Sequence, residues 1–91
     1  MLKYKLTKDA LSFLKAIPQK HANQIINKIT QLSENINSVP YIKLHGVENL
    51  YRAKSGEYRF IFRHENGIVN ILVLKIGKRN DGEVYKNLDN L

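Results

Sequence analysis

From Leu2 to Leu6 apolar and polar residues alternate (Leu, Lys, Tyr, Lys, Leu), a period of two that predicts a short strand with one apolar face. Thr7 then offers a helix N-cap, and from Asp9 the spacing changes: Ala10, Leu11, Leu14 and Ile17 recur at helical intervals until Pro18 ends the run. Pro18 can open a second helix as its first residue, and that helix carries Ala22, Ile25, Ile26, Ile29, Leu32 and Ile36 on one face before Asn37-Ser38-Val39-Pro40 stops it. Residues 8 to 36 thus predict a helical hairpin whose apolar stripe must be buried against another layer.

The second half supplies that layer, because its pattern turns to period two and to β-branched and aromatic residues. Strands are expected over Asn49 to Lys54, Tyr58 to His64 and Ile68 to Ile76, joined by turns at Ser55-Gly56-Glu57 and Glu65-Asn66-Gly67, with Asn-Gly a strong hairpin signal. The expected architecture is a single α+β domain over residues 1–91. It has an N-terminal strand, a helical hairpin, a three-stranded antiparallel meander and a short C-terminal segment, with the helices on one face of the sheet. Parity separates two sets of side chains. Tyr51 and Ala53 pair with Tyr58, Phe60 and Phe62 towards the helices, leaving Arg52, Lys54, Arg59 and Arg63 to share the open face with Ile61. The strand 68 to 76 is apolar on both parities (Ile71 and Val73; Leu72, Leu74 and Ile76), which predicts a place between other strands.

Composition sharpens this picture at two points. The chain has no cysteine, which removes disulfides, thiol nucleophiles and Cys-based zinc sites. It has neither the apolar run of a signal peptide nor that of a membrane span, so a cytoplasmic protein with no membrane partner is expected. Fifteen Lys and Arg against eight Asp and Glu give a net charge of +7, which points to an anionic partner and first to nucleic acid. The arginines, Arg52, Arg59, Arg63 and Arg79, all fall in the second half, and arginine's planar fork suits bidentate phosphate contact better than lysine's point charge. Like charges on adjacent strands repel, so a cationic sheet face calls for an anion to sit on it.

After the third meander strand comes Gly77-Lys78-Arg79-Asn80-Asp81-Gly82-Glu83-Val84-Tyr85, a polar, glycine-containing stretch of the kind that often carries function. A cationic face with an arginine and a tyrosine beside it can hold an RNA phosphate and assist attack by the neighbouring 2′-OH. That reaction needs a proton acceptor, positive charge on the non-bridging oxygens and help for the departing 5′ oxygen, and it requires no metal or other cofactor. Tyrosine's reference pKa is near 10, but nearby cations favour the phenolate, so Tyr85 can serve as base. Arg79 is better suited to charge stabilisation than to proton donation.

These residues resemble the RelE-type toxins of bacterial type II toxin–antitoxin systems, over nearly the whole chain. The resemblance is carried by Lys43-Leu44-His45-Gly46, Leu50-Tyr51-Arg52-Ala53-Lys54, Glu57-Tyr58-Arg59, Gly77-Lys78-Arg79 and Glu83-Val84-Tyr85, in that order. It implies a metal-independent endoribonuclease that cuts messenger RNA in the ribosomal A site. Arg52, Lys54 and Arg59 would grip and stabilise the phosphate, Arg79 would stand at the leaving group, Tyr85 would act as general base, and Arg63 and Lys78 would add RNA contacts. Arg52 departs from the pattern, since the ribonuclease type commonly has lysine there. The resemblance also implies a cognate antitoxin as partner, with DNA contact only through the toxin–antitoxin complex.

Other readings stay open at this level. A ParE-like inhibitor of DNA gyrase shares the fold and part of the pattern without needing Arg79 and Tyr85, and an inactive RNA-binding relative would need only the charge. The basic sheet residues can be plain solvated surface, Tyr85 an aromatic anchor, and Arg79 a cap on strand-end carbonyls. His21, His45 and His64 suggest a histidine acid–base pair, although nothing in their spacing unites two of them. Asp81, Glu83 and Asp89 are clustered along the chain but not drawn from separate elements, as a Mg²⁺ nuclease normally requires.

Overall fold

A computed structural model describes residues 4–44, 50–64 and 71–78. The chain runs β1 (Tyr4–Leu6), α1 (Lys8–Ala16), α2 (Gln19–Glu34), β2 (Tyr41–Lys43), β3 (Leu50–Ser55), β4 (Tyr58–His64) and β5 (Ile71–Lys78). The strands form one five-stranded sheet in the order β1-β5-β4-β3-β2. The α+β class, the helical pair and the antiparallel meander of β3, β4 and β5 are as the pattern predicts, and β5 lies between β4 and β1. The short edge strand β2, which the sequence pattern did not show, extends the antiparallel run, while β1 pairs in parallel with β5. No helix among the described residues is long and apolar enough to cross a membrane.

Local chemistry sets the elements. Thr7 has extended backbone angles and its hydroxyl accepts the Ala10 N–H at 3.2 Å, capping α1. The same hydroxyl donates to the Leu74 carbonyl at 2.7 Å, and the Thr7 N–H donates to Val73 at 3.1 Å. Pro18 stands at the N-cap of α2, one place earlier than expected, where its carbonyl accepts from His21 and Ala22. The helix ends at Glu34, so Ile36 packs against the core from beyond the last turn. β3 and β4 are joined by Gly56-Glu57, and Gly56 has φ +59°, the sign that a primed two-residue hairpin turn needs at its first central position. The Glu65-Asn66-Gly67 turn and residues 68–70 lie outside the described residues.

The core lies between the helices and one sheet face. Ala10 and Leu14 of α1 and Ile25, Ile29 and Leu32 of α2 meet Ala53, Phe60, Phe62, Ile71, Val73 and Ile76. A second, smaller cluster on the opposite face buries Leu50, Ile61 and Leu74, with Leu44 and Leu72 against them.

These two clusters explain why β5 is apolar on both parities. Phe62 pairs with Val73 but Ile61 pairs with Lys75, so one extra residue is accommodated at Leu74. The bulge corrects the expected parity: Ile76 joins Ile71 and Val73 under the helices instead of siding with Leu72 and Leu74. Thr7 holds this bulge against the start of α1. Thr7→Val keeps the shape but loses both hydroxyl bonds, and about 1–2 kcal/mol of stability should go with them. Urea unfolding of the two proteins measures the difference, and an unchanged midpoint would show that the bulge needs no such clamp.

Candidate nucleic-acid interface

The meander register puts the cations in defined rows. Lys54 lies directly opposite Arg59, and Arg59 opposite Gly77; Arg52 lies opposite Ile61, and Ile61 opposite Lys75. Directly opposed residues have Cβ atoms about 4.5–5.5 Å apart, and residues two apart on a strand are separated by about 6.6 Å. Arg52, Lys54, Arg59 and Lys75 therefore form a compact basic patch on the face away from the helices. Gly77, buried, lies opposite Arg59. Arg59 is partly buried, its Nε out of contact with solvent, so its stem is held in the sheet while Lys54 projects into water. Arg52, Arg59, Arg63 and Lys75 each make a further polar or ring interaction.

Of the residues expected to act together, the register unites Arg52, Lys54 and Arg59. Arg63 also projects to this face, but in the row Leu50-Arg63-Leu72, so the row of Arg52, Ile61 and Lys75 stands between it and the Lys54-Arg59 pair. The face is thus not uniformly cationic as parity alone suggests, because the apolar cluster of Leu50, Ile61 and Leu74 is set among the basic residues. Lys78 is exposed but lies opposite Tyr58, on the parity of the helix-covered face, and so is turned away from Arg59. Arg79 and Tyr85 fall outside the described residues.

Lys75 was missed in the sequence. Simple alternation places it with Ile71 and Val73, and only the bulge brings it to the Ile61 side. The available signal was the spacing of Ile71, Val73 and Ile76, which steps by two and then by three.

The structure does not assemble the histidines. Nδ1 of His21 and the Tyr58 hydroxyl share a hydrogen bond of 2.8 Å where α2 meets the start of β4, and the rings are tilted against each other at 5.4 Å. His64 is at the far end of the same strand, about 20 Å along it, and His45 lies outside the described residues. Among the described residues no group of three or more His, Asp or Glu side chains is placed to hold a metal ion. Asp81, Glu83 and Asp89 lie outside them.

The fold, two helices over a five-stranded sheet, is shared with solved toxins of the RelE type. The chain is similar to RelE of the archaeal RelE–RelB complex from Pyrococcus horikoshii OT3, with 26% identity, a TM-score of 0.71 and coverage of 87% of this chain and 96% of that one. It also superposes on a double mutant of Escherichia coli RelE in the free state, with a TM-score of 0.75 and coverage of 99% and 97%, a likeness of fold at 22% identity. The toxin in the RelB–RelE complex from Methanococcus jannaschii matches with a TM-score of 0.69 at 24% identity, covering 94% of this chain and 99% of that one.

Residues 4–82 match the model of the ParE toxin of type II toxin–antitoxin systems, and the chain belongs to this RelE/ParE family of toxins. No curated protein is similar enough in sequence to match.

Proposed function

We propose that the protein is the ribonuclease kind of toxin: a metal-independent endoribonuclease that cuts messenger RNA in the ribosomal A site and so stops translation in the cytoplasm. The observation that carries this reading is the compact patch of Arg52, Lys54, Arg59 and Lys75 on the sheet face away from the helices. A phosphate seated there meets a lysine and an arginine directly opposite each other, so the negative charge that grows on its non-bridging oxygens is stabilised where it develops. Attack by the adjacent 2′-OH then needs a proton acceptor, which we assign to Tyr85, and stabilisation of the departing 5′ oxygen, which we assign to Arg79. Arg63 and Lys78 make outer contacts to the RNA, Lys78 from the flank of the patch. As in the RelE–RelB complexes it resembles, the toxin pairs with a cognate antitoxin.

The chemistry fixes the product. Attack by the 2′-OH leaves a 2′,3′-cyclic phosphate on one fragment and a 5′-hydroxyl on the other. Cleavage of a defined message on programmed ribosomes, with the ends mapped by primer extension and phosphatase treatment, should give those ends at the A-site codon. A 5′-phosphate product would sink this mechanism.

A second reading has its own support, because the matching family model is that of ParE. If the message stays intact on active ribosomes while the protein inhibits DNA gyrase in a supercoiling assay, the toxin is a gyrase inhibitor and its basic face a binding surface without turnover.

A further inference from the structure

Strands β3, β4 and β5 carry cations and no carboxylate: Arg52 and Lys54, Arg59 and Arg63, Lys75 and Lys78. The register sorts those of the outer face into rows that cross the strands. One row is Lys54, Arg59 and Gly77, and the next is Arg52, Ile61 and Lys75. The proposed chemistry seats a phosphate on the first row and gives the second row no anion of its own.

The second row exists because of the bulge. Leu74 and Lys75 are consecutive, yet both lie on the outer face, Leu74 in the cluster with Ile61 and Lys75 directly opposite Ile61. Core packing fixes this from the other side, since Val73 and Ile76 are both buried under the helices and two residues must fit between them. Thr7 holds the bulged backbone through the carbonyls of Val73 and Leu74. Lys75 cannot return to the helix side without bringing an ammonium into the core, which costs far more than keeping it on the open face. Arg52 and Lys75 are both partly buried, the state in which a long cation packs its stem and presents its charged end.

The spacing suits two successive phosphates. Arg52 and Lys75 flank Ile61 two strand spacings apart, about 9–10 Å, a gap that two long side chains can close on one anion. Along the strands the two rows are about 6.6 Å apart, close to the separation of neighbouring phosphates in an extended single strand. We infer that Arg52 and Lys75 form a second phosphate site, which holds the phosphate next to the one between Lys54 and Arg59, so that the RNA backbone runs along the strands. The guanidinium offers a fork to two oxygens, and the ammonium a point charge from the opposite side. Occupation of both rows relieves the repulsion among four cations on adjacent strands. The inference rests on the proposed function in taking RNA as the anion, but it requires binding and no turnover.

The test uses the full ¹⁵N-labelled chain at low salt and two ligands: the 2′-O-methylated dinucleotide of uridine, with one phosphate, and its 5′-phosphorylated form, with two. Methylation removes the attacking hydroxyl, so neither ligand can be cut. Affinities are read from amide shifts, which should concentrate at residues 52, 54, 59 and 75. The second phosphate should tighten binding by about fivefold in the wild type. Lys75→Ala should reduce that gain to less than about twofold while affinity for the one-phosphate ligand changes little, and Lys75→Arg, which keeps the charge, should retain the gain. Lys15→Ala, which removes the same charge from an exposed position on α1, should also retain it.

The proposal is overturned if Lys75→Ala leaves the gain intact, or if Lys15→Ala lowers it as much, the mark of net charge alone. It fails equally if neither ligand binds or if the shifts fall away from the outer face. Ribosomal cleavage is a separate result: an intact message, with the gain present in the wild type and lost in Lys75→Ala, would remove the ribonuclease reading and leave the two-phosphate site standing.

Discussion

In single-turnover cleavage on programmed ribosomes, Tyr85→Phe is expected to slow cutting by about 10²- to 10⁴-fold, the range that one positioned general base contributes. The substitution removes one oxygen and leaves the ring, so affinity for the programmed ribosome should hardly change. Arg79→Ala should cost about 10²- to 10³-fold in rate, as expected of a charge that acts mainly on the departing oxygen. The basic patch predicts the opposite division. Lys54 is an exposed cation opposite Arg59, and Lys54→Ala should weaken binding and lower the salt dependence of affinity by about one phosphate contact. Rate and affinity measured on the same three variants decide the matter. If Tyr85→Phe lowers both in equal proportion, the tyrosine anchors rather than catalyses.

The contrast between these residues mirrors what the sequence could and could not reveal. Periodicity located both helices because each has its own apolar stripe, and Thr7 and Pro18 mark their starts with local chemistry. Parity paired β3 with β4 correctly because a two-residue turn around Gly56 fixes the register, setting Tyr51 against Phe62 and Lys54 against Arg59. The union of Arg52, Lys54 and Arg59 was therefore legible, since all three lie in one hairpin.

What escaped the pattern depends on distant partners. Tyr41-Ile42-Lys43 is too short to show alternation and becomes a strand only because β3 is there to pair with it. The bulge at Leu74 is stabilised by Thr7, 67 residues away in sequence, and it alone decides that Lys75 joins the patch and Ile76 the core. Leu74 keeps the face that plain alternation from Leu72 gives it, and the bulge sets Lys75 beside it there. Charge composition pointed to an anionic partner, but the layout of the basic face was set in part by a bulge in a strand.

Phe62→Ala is expected to cost about 3–5 kcal/mol, the range for removing a fully buried aromatic side chain. Phe62 has no exposed surface, stacks on Tyr51 at 5.7 Å and 26°, and takes edge contact from Tyr41 at 5.8 Å. Phe60 lies 5.9 Å away, so three rings on three strands lose their common neighbour. Domains of this size have total stabilities of about 5–14 kcal/mol, and a core with one helical layer offers little room to relax into the cavity. Phe62→Leu keeps most of the volume and should cost less than half as much. Because β4 also carries Arg59 and Arg63 on its other face, the alanine variant should lose RNA affinity in proportion to the fraction unfolded, and lowering the temperature towards the stability maximum should restore part of it. Guanidinium unfolding of the three proteins gives the energies. A Phe62→Ala protein that unfolds within 1 kcal/mol of wild type, a loss typical of tolerated surface changes, would mean that the aromatic layer is not what holds the basic strands in register.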